Sequence, residues 1–224
     1  MLSSLPPEIF DLIINHLDHN KTTLRAYCLV SKSWVPRIRR RLFACVEFWS
    51  RKSVGSWMEA FPDPANSPAH HTRKLHIHAP AITPLANSDA RAWVRSFRLV
   101  VALSVHGHWE DGGSSDVVDF ICSFPLLQDL WLCLSTKDTS ITDIDIDDAW
   151  AVPPTSPILN GSFVLKTCDV NHFTRQLLRL PGGLHFSQIS VSGCDPESIP
   201  DLVSRCSTTL ESLRIHYFTP RTCS

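Results

Sequence analysis

The feature that most constrains this chain is a recurring pair of apolar residues separated by one position. Such pairs stand at Val46-x-Phe48, Leu75-x-Ile77, Phe97-x-Leu99, Leu130-x-Leu132, Phe163-x-Leu165, Ile189-x-Val191 and Leu213-x-Ile215. Each reads as a short strand with alternate side chains turned to one core. The first members lie 29, 22, 33, 33, 26 and 24 residues apart, room for one strand and one helix per repeat. Several gaps hold a helix pattern. Asp116 can cap Val117, Phe120, Ile121 and Phe124; Asn171 can cap Phe173, Leu177 and Leu178; the stretch from Ser198 carries Leu202, Val203 and Cys206. Parallel strands with helical crossovers build either a doubly wound sheet or a curved solenoid. Residues 62–72 and 135–158, rich in Pro, Ser, Asp and Thr, interrupt the pattern as loops.

The first 48 residues follow a different period. From Pro6 to Asp18 the polar positions Glu8, Asp11, Asn15 and Asp18 form one narrow stripe on a helix, and almost all the rest is apolar. Ser4 can cap this helix, and prolines suit its first turn. An arc so wide is either buried in a large core or shared between its own unit and a partner. Thr22 or Thr23 can cap a second short helix with Leu24, Tyr27, Cys28 and Val30. Ser31 can cap a third with Trp34 and Ile38, where Pro36 should kink the helix or delay its regular part. Three short helices bury too little surface to be comfortable alone.

Leu5-Pro6, Glu8-Ile9, Ile13, Leu17, Leu24, Cys28, Val30-Ser31-Lys32-x-Trp34 and the closing Leu42-Phe43 resemble an F-box of the kind common in large fungal families. The resemblance implies docking on the Skp-type adaptor of a cullin–RING ubiquitin ligase. Carried over by position, the contacts would be Leu5, Pro6, Ile9, Ile13, Leu17, Leu24, Cys28, Val30 and Trp34. Segments 124–132 and 209–215 resemble the L-x-x-L-x-L core of leucine-rich repeats, which favours the solenoid and implies a substrate-holding region. The expected fold is therefore α+β: a three-helix F-box over residues 1–48, then an irregular leucine-rich-repeat-like α/β solenoid over 49–224, incomplete at its C-terminus. There Leu213–Phe218 reads as a last strand with an unpaired edge.

Other chemistry finds little support. The Asp143, Asp145 and Asp147 spacing begins like a calcium loop, but Asp148 and Pro154 stand where Gly and Glu are required. The histidines at 70, 71, 76, 78, 106 and 108 are dense, with no Cys or carboxylate completing a ligand set, so no metal and no cofactor are expected. Arg37-x-Arg39-Arg40-Arg41 reads as one wet helix face, with a nuclear address or a phosphate patch as alternatives. Gly112-Gly113 and Gly182-Gly183 lack a phosphate-binding context and read as turns. Eight scattered cysteines without a C-x-x-C pair read as reduced, buried thiols. With 21 basic against 22 acidic residues, neither a nucleic-acid grip nor a membrane surface is indicated. No apolar run approaches the ~18 residues of a membrane span, and the start lacks a secretory n-region, so the chain is expected in cytoplasm or nucleus.

The expected role is substrate receptor of a Skp–cullin–F-box ubiquitin ligase, with catalysis in other subunits and a protein substrate of unknown identity. Alternation turns His76, His78, Arg98, Trp131, Arg214 and His216 to the concave side as its binding set. Two alternatives stand beside it: an F-box protein that binds adaptor without supporting ubiquitination, and a small metal-binding enzyme using the histidine-rich strands.

Overall fold

The computed structural model describes residues 6–16, 20–29, 32–81, 90–109, 114–136, 156–167, 171–192 and 199–216. Leu5, Leu17, Val30, the Asp143–Asp147 spacing, Gly112-Gly113 and most of 135–158 lie outside them.

Three helices open the chain: α1 (Pro7–His16), α2 (Lys21–Tyr27) and α3 (Val35–Leu42). Asn20, rather than Thr22 or Thr23, caps α2: its Oδ1 accepts the Thr23 N–H at 3.0 Å. α3 starts only at Val35, with Trp34 at its N-cap and no side-chain cap; Ser4 and Ser31, expected as caps, lie outside the described residues. Pro36 falls in its first turn, where a missing N–H leaves nothing unsatisfied; the proline delays the helix and does not kink it. Ile14, Leu24 and Ile38 form a small core of their own, flanked by Tyr27, Cys28, Trp34 and Leu42.

Beyond residue 44 strands and helices alternate: β1 (Cys45–Phe48), α4 (Arg51–Ala60), β2 (Lys74–His78), α5 (Arg91–Ser96), β3 (Ala102–Trp109), α6 (Ser114–Cys122), β4 (Asp129–Thr136), β5 (Ser162–Thr167), α7 (Asn171–Leu178), β6 (Gln188–Ser192), α8 (Ile199–Arg205) and β7 (Ser212–His216). The result is a mixed α/β architecture. The seven strands form one sheet in the order β1 to β7, every neighbouring pair parallel. A doubly wound sheet reverses its strand order and covers both faces with helices. Here the order never reverses, so the arrangement is solenoid-like.

Register explains why one face is core. Val46, Leu75, Leu103, Leu130, Phe163, Ile189 and Leu213 stand side by side across the sheet, and Phe48, Ile77, Val105, Leu132, Leu165, Val191 and Ile215 form a second row. Helix residues Val54, Val94, Val117, Ile121, Leu177 and Leu202 belong to the same cluster, so the described crossovers pack on this face. At the far end the cover thins: Leu213 of β7 is 41% exposed.

One strand departs from the sequence expectation. Phe97-x-Leu99 is not a strand; Phe97 ends α5 and Leu99 lies in the following turn. The strand is β3, with Leu103 and Val105 in the core rows, and the spacing of first anchors becomes 29, 28, 27, 33, 26 and 24 residues. Two caps also shift. α6 starts at Ser114, two residues before Asp116, and α7 starts at Asn171 itself. Residues 62–72, expected as loop, contain two 3-10 turns at Pro64–Asn66 and Pro68–His71. The Gly182-Gly183 turn is present, with Gly183 at φ 70°. Among the described thiols Cys206 is buried, whereas Cys28, Cys45, Cys122 and Cys133 are only partly so, against the expectation of fully buried thiols. Burial, with Asp119 adding, pushes the Cys122 thiol up to about 12.

Candidate functional site

Alternation along each strand sends the residues between the core anchors to the face opposite the described crossover helices. Across the sheet this gives two rows. The first is Glu47, His76, Ser104, Trp131, Val164, Ser190 and Arg214. The second is His78, His106, Cys133, Lys166, Ser192 and His216. Adjacent strands are about 4.8 Å apart, so long side chains in one row touch.

They touch most continuously over the first five strands. The Trp49 indole, just past the end of β1, stacks on the His78 ring with centroids 4.0 Å apart and planes 19° apart. His78 lies 5.7 Å from His106, and His106 lies 6.0 Å from Trp131. The Lys166 ammonium stands 5.4 Å from the centre of the Trp131 ring, within cation–π range. Glu47 Oε1 approaches His78 Nε2 at 3.6 Å. Trp49 and Trp131 remain 61% and 42% exposed, so this ladder of rings is itself solvent-facing.

The electrostatics favour the neutral form of two histidines on this face, His76 and His106. Burial lowers the pKa of His76, with Lys74, His78 and Lys21 pushing the same way against Glu47. His106 is lowered by burial, then by His78, His76 and Lys166, again against Glu47. The lasting positive charges of the face are Lys166 and Arg214, with Lys74 at its margin. Such a surface presents flat apolar area, ring N–H donors and cations, groups suited to an acidic or hydrogen-bonding partner. Among the described residues no group of three or more His, Cys, Asp or Glu is arranged to hold a metal ion.

Of the residues expected on this face, His76, His78, Trp131, Arg214 and His216 are on it. Arg98 is not. It sits in the turn after α5, because the first core anchor of the strand is Leu103, six residues beyond the expected Phe97. His106, Lys166, Glu47 and Trp49 complete the ladder and were missed. His106 follows from setting β3 on Leu103, and Lys166 from extending the outward alternation of β5 by one step.

The second candidate surface is on the helical unit. Ile9, Leu12 and Leu29 are 42%, 57% and 89% exposed. Pro6 is exposed and Ile13 is half-buried. Leu24, expected as a contact, is instead a core residue of the unit, and no free side chain remains there for a partner. Cys28 and Trp34 are half-buried and pack against the same core, Trp34 stacking on Tyr27 at 5.4 Å. Leu12 and Leu29 are exposed apolar positions that the sequence motif did not name. No helix among the described residues is long and apolar enough to cross a membrane.

The chain matches no protein-family model, no curated protein and no solved structure.

Proposed function

We propose that this chain is a substrate receptor of a Skp–cullin–F-box ubiquitin ligase. Residues 1–48 would bind a Skp-type adaptor, and the open face of the leucine-rich-repeat-like sheet would bind a protein substrate. The observation that carries the reading is the helical unit's division of its apolar residues. Ile14, Leu24 and Ile38 are fully buried, while Ile9 and Leu12 of the same α1 helix face solvent. A unit with so small a core gains most from a partner that covers its outer side. The ladder from Trp49 to Lys166 supports the second half: exposed tryptophans beside cations are the composition of protein-binding hot spots. The mechanism is proximity. One chain holding adaptor and substrate together raises the effective concentration of substrate lysines at the ubiquitin-charged enzyme.

Copurification with a Skp-type adaptor tests the reading. Ile9→Asp and Leu12→Asp lie on the exposed side of α1, so the fold should survive, and a carboxylate in a desolvated interface costs several kcal/mol. That is enough to remove a micromolar complex. Adaptor recovery equal to wild type in both variants would refute the assignment. Trp131→Ala with Lys166→Ala should keep adaptor and lose substrate in the same pull-down.

A further inference from the structure

We propose that the free edge of β1 is a second recognition site, taking an extended, acidic peptide as an added strand. β1 is the first strand of the sheet, and β2 is its one neighbour among the described strands. The Ala44 carbonyl accepts the Lys74 N–H at 2.9 Å, and from that register the backbone groups of Val46 and Phe48 also turn to β2. The N–H and C=O groups of Cys45 and Glu47 therefore point the other way, outward. An outward strand edge is a template for another strand.

The edge is shaped to admit one. A trough of about 750 Å³ runs along it between α2 and α4. β1 lines it, Trp57 of α4 and Phe61 just past that helix supply apolar wall, and Lys21, Arg25 and Lys52 also border it. Among the described residues Glu47 is the one carboxylate bordering it, and His78 Nε2 lies 3.6 Å from its Oε1 on the open face. Three cations against one carboxylate select an acidic segment. The apolar wall selects alternate apolar side chains, as a strand presents them. This site borders the substrate ladder at Glu47 and Trp49 and is distinct from it in what does the binding. It uses the backbone of β1 and the side chains of α2 and α4, and neither Trp131 nor Ile9.

The test is selection of a random dodecamer peptide library, displayed on phage, against the full-length chain. Enriched peptides should carry excess Asp and Glu alternating with apolar residues. They should slow amide exchange at Cys45 and Glu47 on binding. Lys21→Glu with Lys52→Glu should weaken them at least tenfold. Both side chains are exposed, and Lys52 stands in the first turn of α4, where the helix dipole favours an anion, so the reversal leaves the fold intact. Trp131→Ala should leave binding unchanged. The proposal is overturned if enriched peptides lack an acidic excess, if they bind the charge-reversed chain equally, or if protection falls on β3 and β4 instead.

Discussion

His76 and His106 sit one strand apart on the open face, and both are held below the ordinary histidine value, chiefly by burial. The groups around them are Glu47 on β1, Lys74 and His78 on β2, Lys21 on α2 and Lys166 on β5, so a single carboxylate opposes several positive neighbours. The sign follows from proton uptake. Above about pH 6.5 both folded and unfolded histidines are neutral, and the contribution to stability is complete. As the pH falls below that value the unfolded chain takes up protons first, and stability is lost toward the lower folded value. The melting temperature should therefore fall between about pH 7.5 and about pH 5.5, and fall less when His76→Gln and His106→Gln are combined. Equal falls in wild type and the double variant would show that these rings do not carry the effect.

Among the elements, the junction of β4 and β5 shows what fixes strand register. Asp129 opens β4, and its Oδ1 accepts the Ser162 N–H at 2.7 Å, tying the starts of the two strands together. Gly161 lies against that carboxylate; a Cβ there would collide with it and stand 3.0 Å from the Gln128 carbonyl. Gly161→Ala must displace Asp129 and orphan the Ser162 N–H, a loss of about 1–3 kcal/mol that urea denaturation would read as a lower midpoint at unchanged slope. Six of the seven strands were legible from their apolar pairs because period-two alternation survives wherever one face is buried. The third was not. The run from Phe97 to Val105 contains several such pairs, Phe97-x-Leu99 and Leu103-x-Val105 among them, and local pattern cannot rank them. Packing does, through the even spacing that places Leu103 beside Leu75 and Leu130. That displacement carried Arg98 onto the expected face and left His106 off it. Trp49 was hidden for another reason: it lies one residue past β1, where alternation no longer applies, and only its stacking on His78 brings it into the row. The contact residues of the helical unit were legible as apolar positions, but not as inward or outward ones. Leu24 and Leu12 carry the same side chain, and the arrangement of three helices, which no single period contains, decides that one is core and the other exposed.

At the scale of the whole molecule the core divides in two, and so should unfolding. The helical unit rests on Ile14, Leu24 and Ile38, whereas the sheet cluster runs unbroken from Val46 to Cys206. In a solenoid each repeat leans on its neighbours, so damage at the centre spreads along the sheet, while damage in a separate small core stays local. Phe163 is fully buried and stacks on Phe186 with centroids 4.8 Å apart. Its replacement by alanine should cost about 3–5 kcal/mol and speed amide exchange throughout β3 to β6. Ile38→Ala should cost about 2–5 kcal/mol, more than three short helices can spare, and speed exchange in residues 6–42 with β3 to β6 still protected. The two variants should then part on adding a Skp-type adaptor. A ligand at a hundred times its dissociation constant stabilises the state it binds by about 2.7 kcal/mol, so saturating adaptor should restore much of the lost protection in Ile38→Ala. Phe163→Ala should gain nothing in the sheet, because the proposed adaptor surface belongs to the other core. Adaptor that protects neither variant would count against docking on the helices, and protection spreading into β3 to β6 would count against two separable cores.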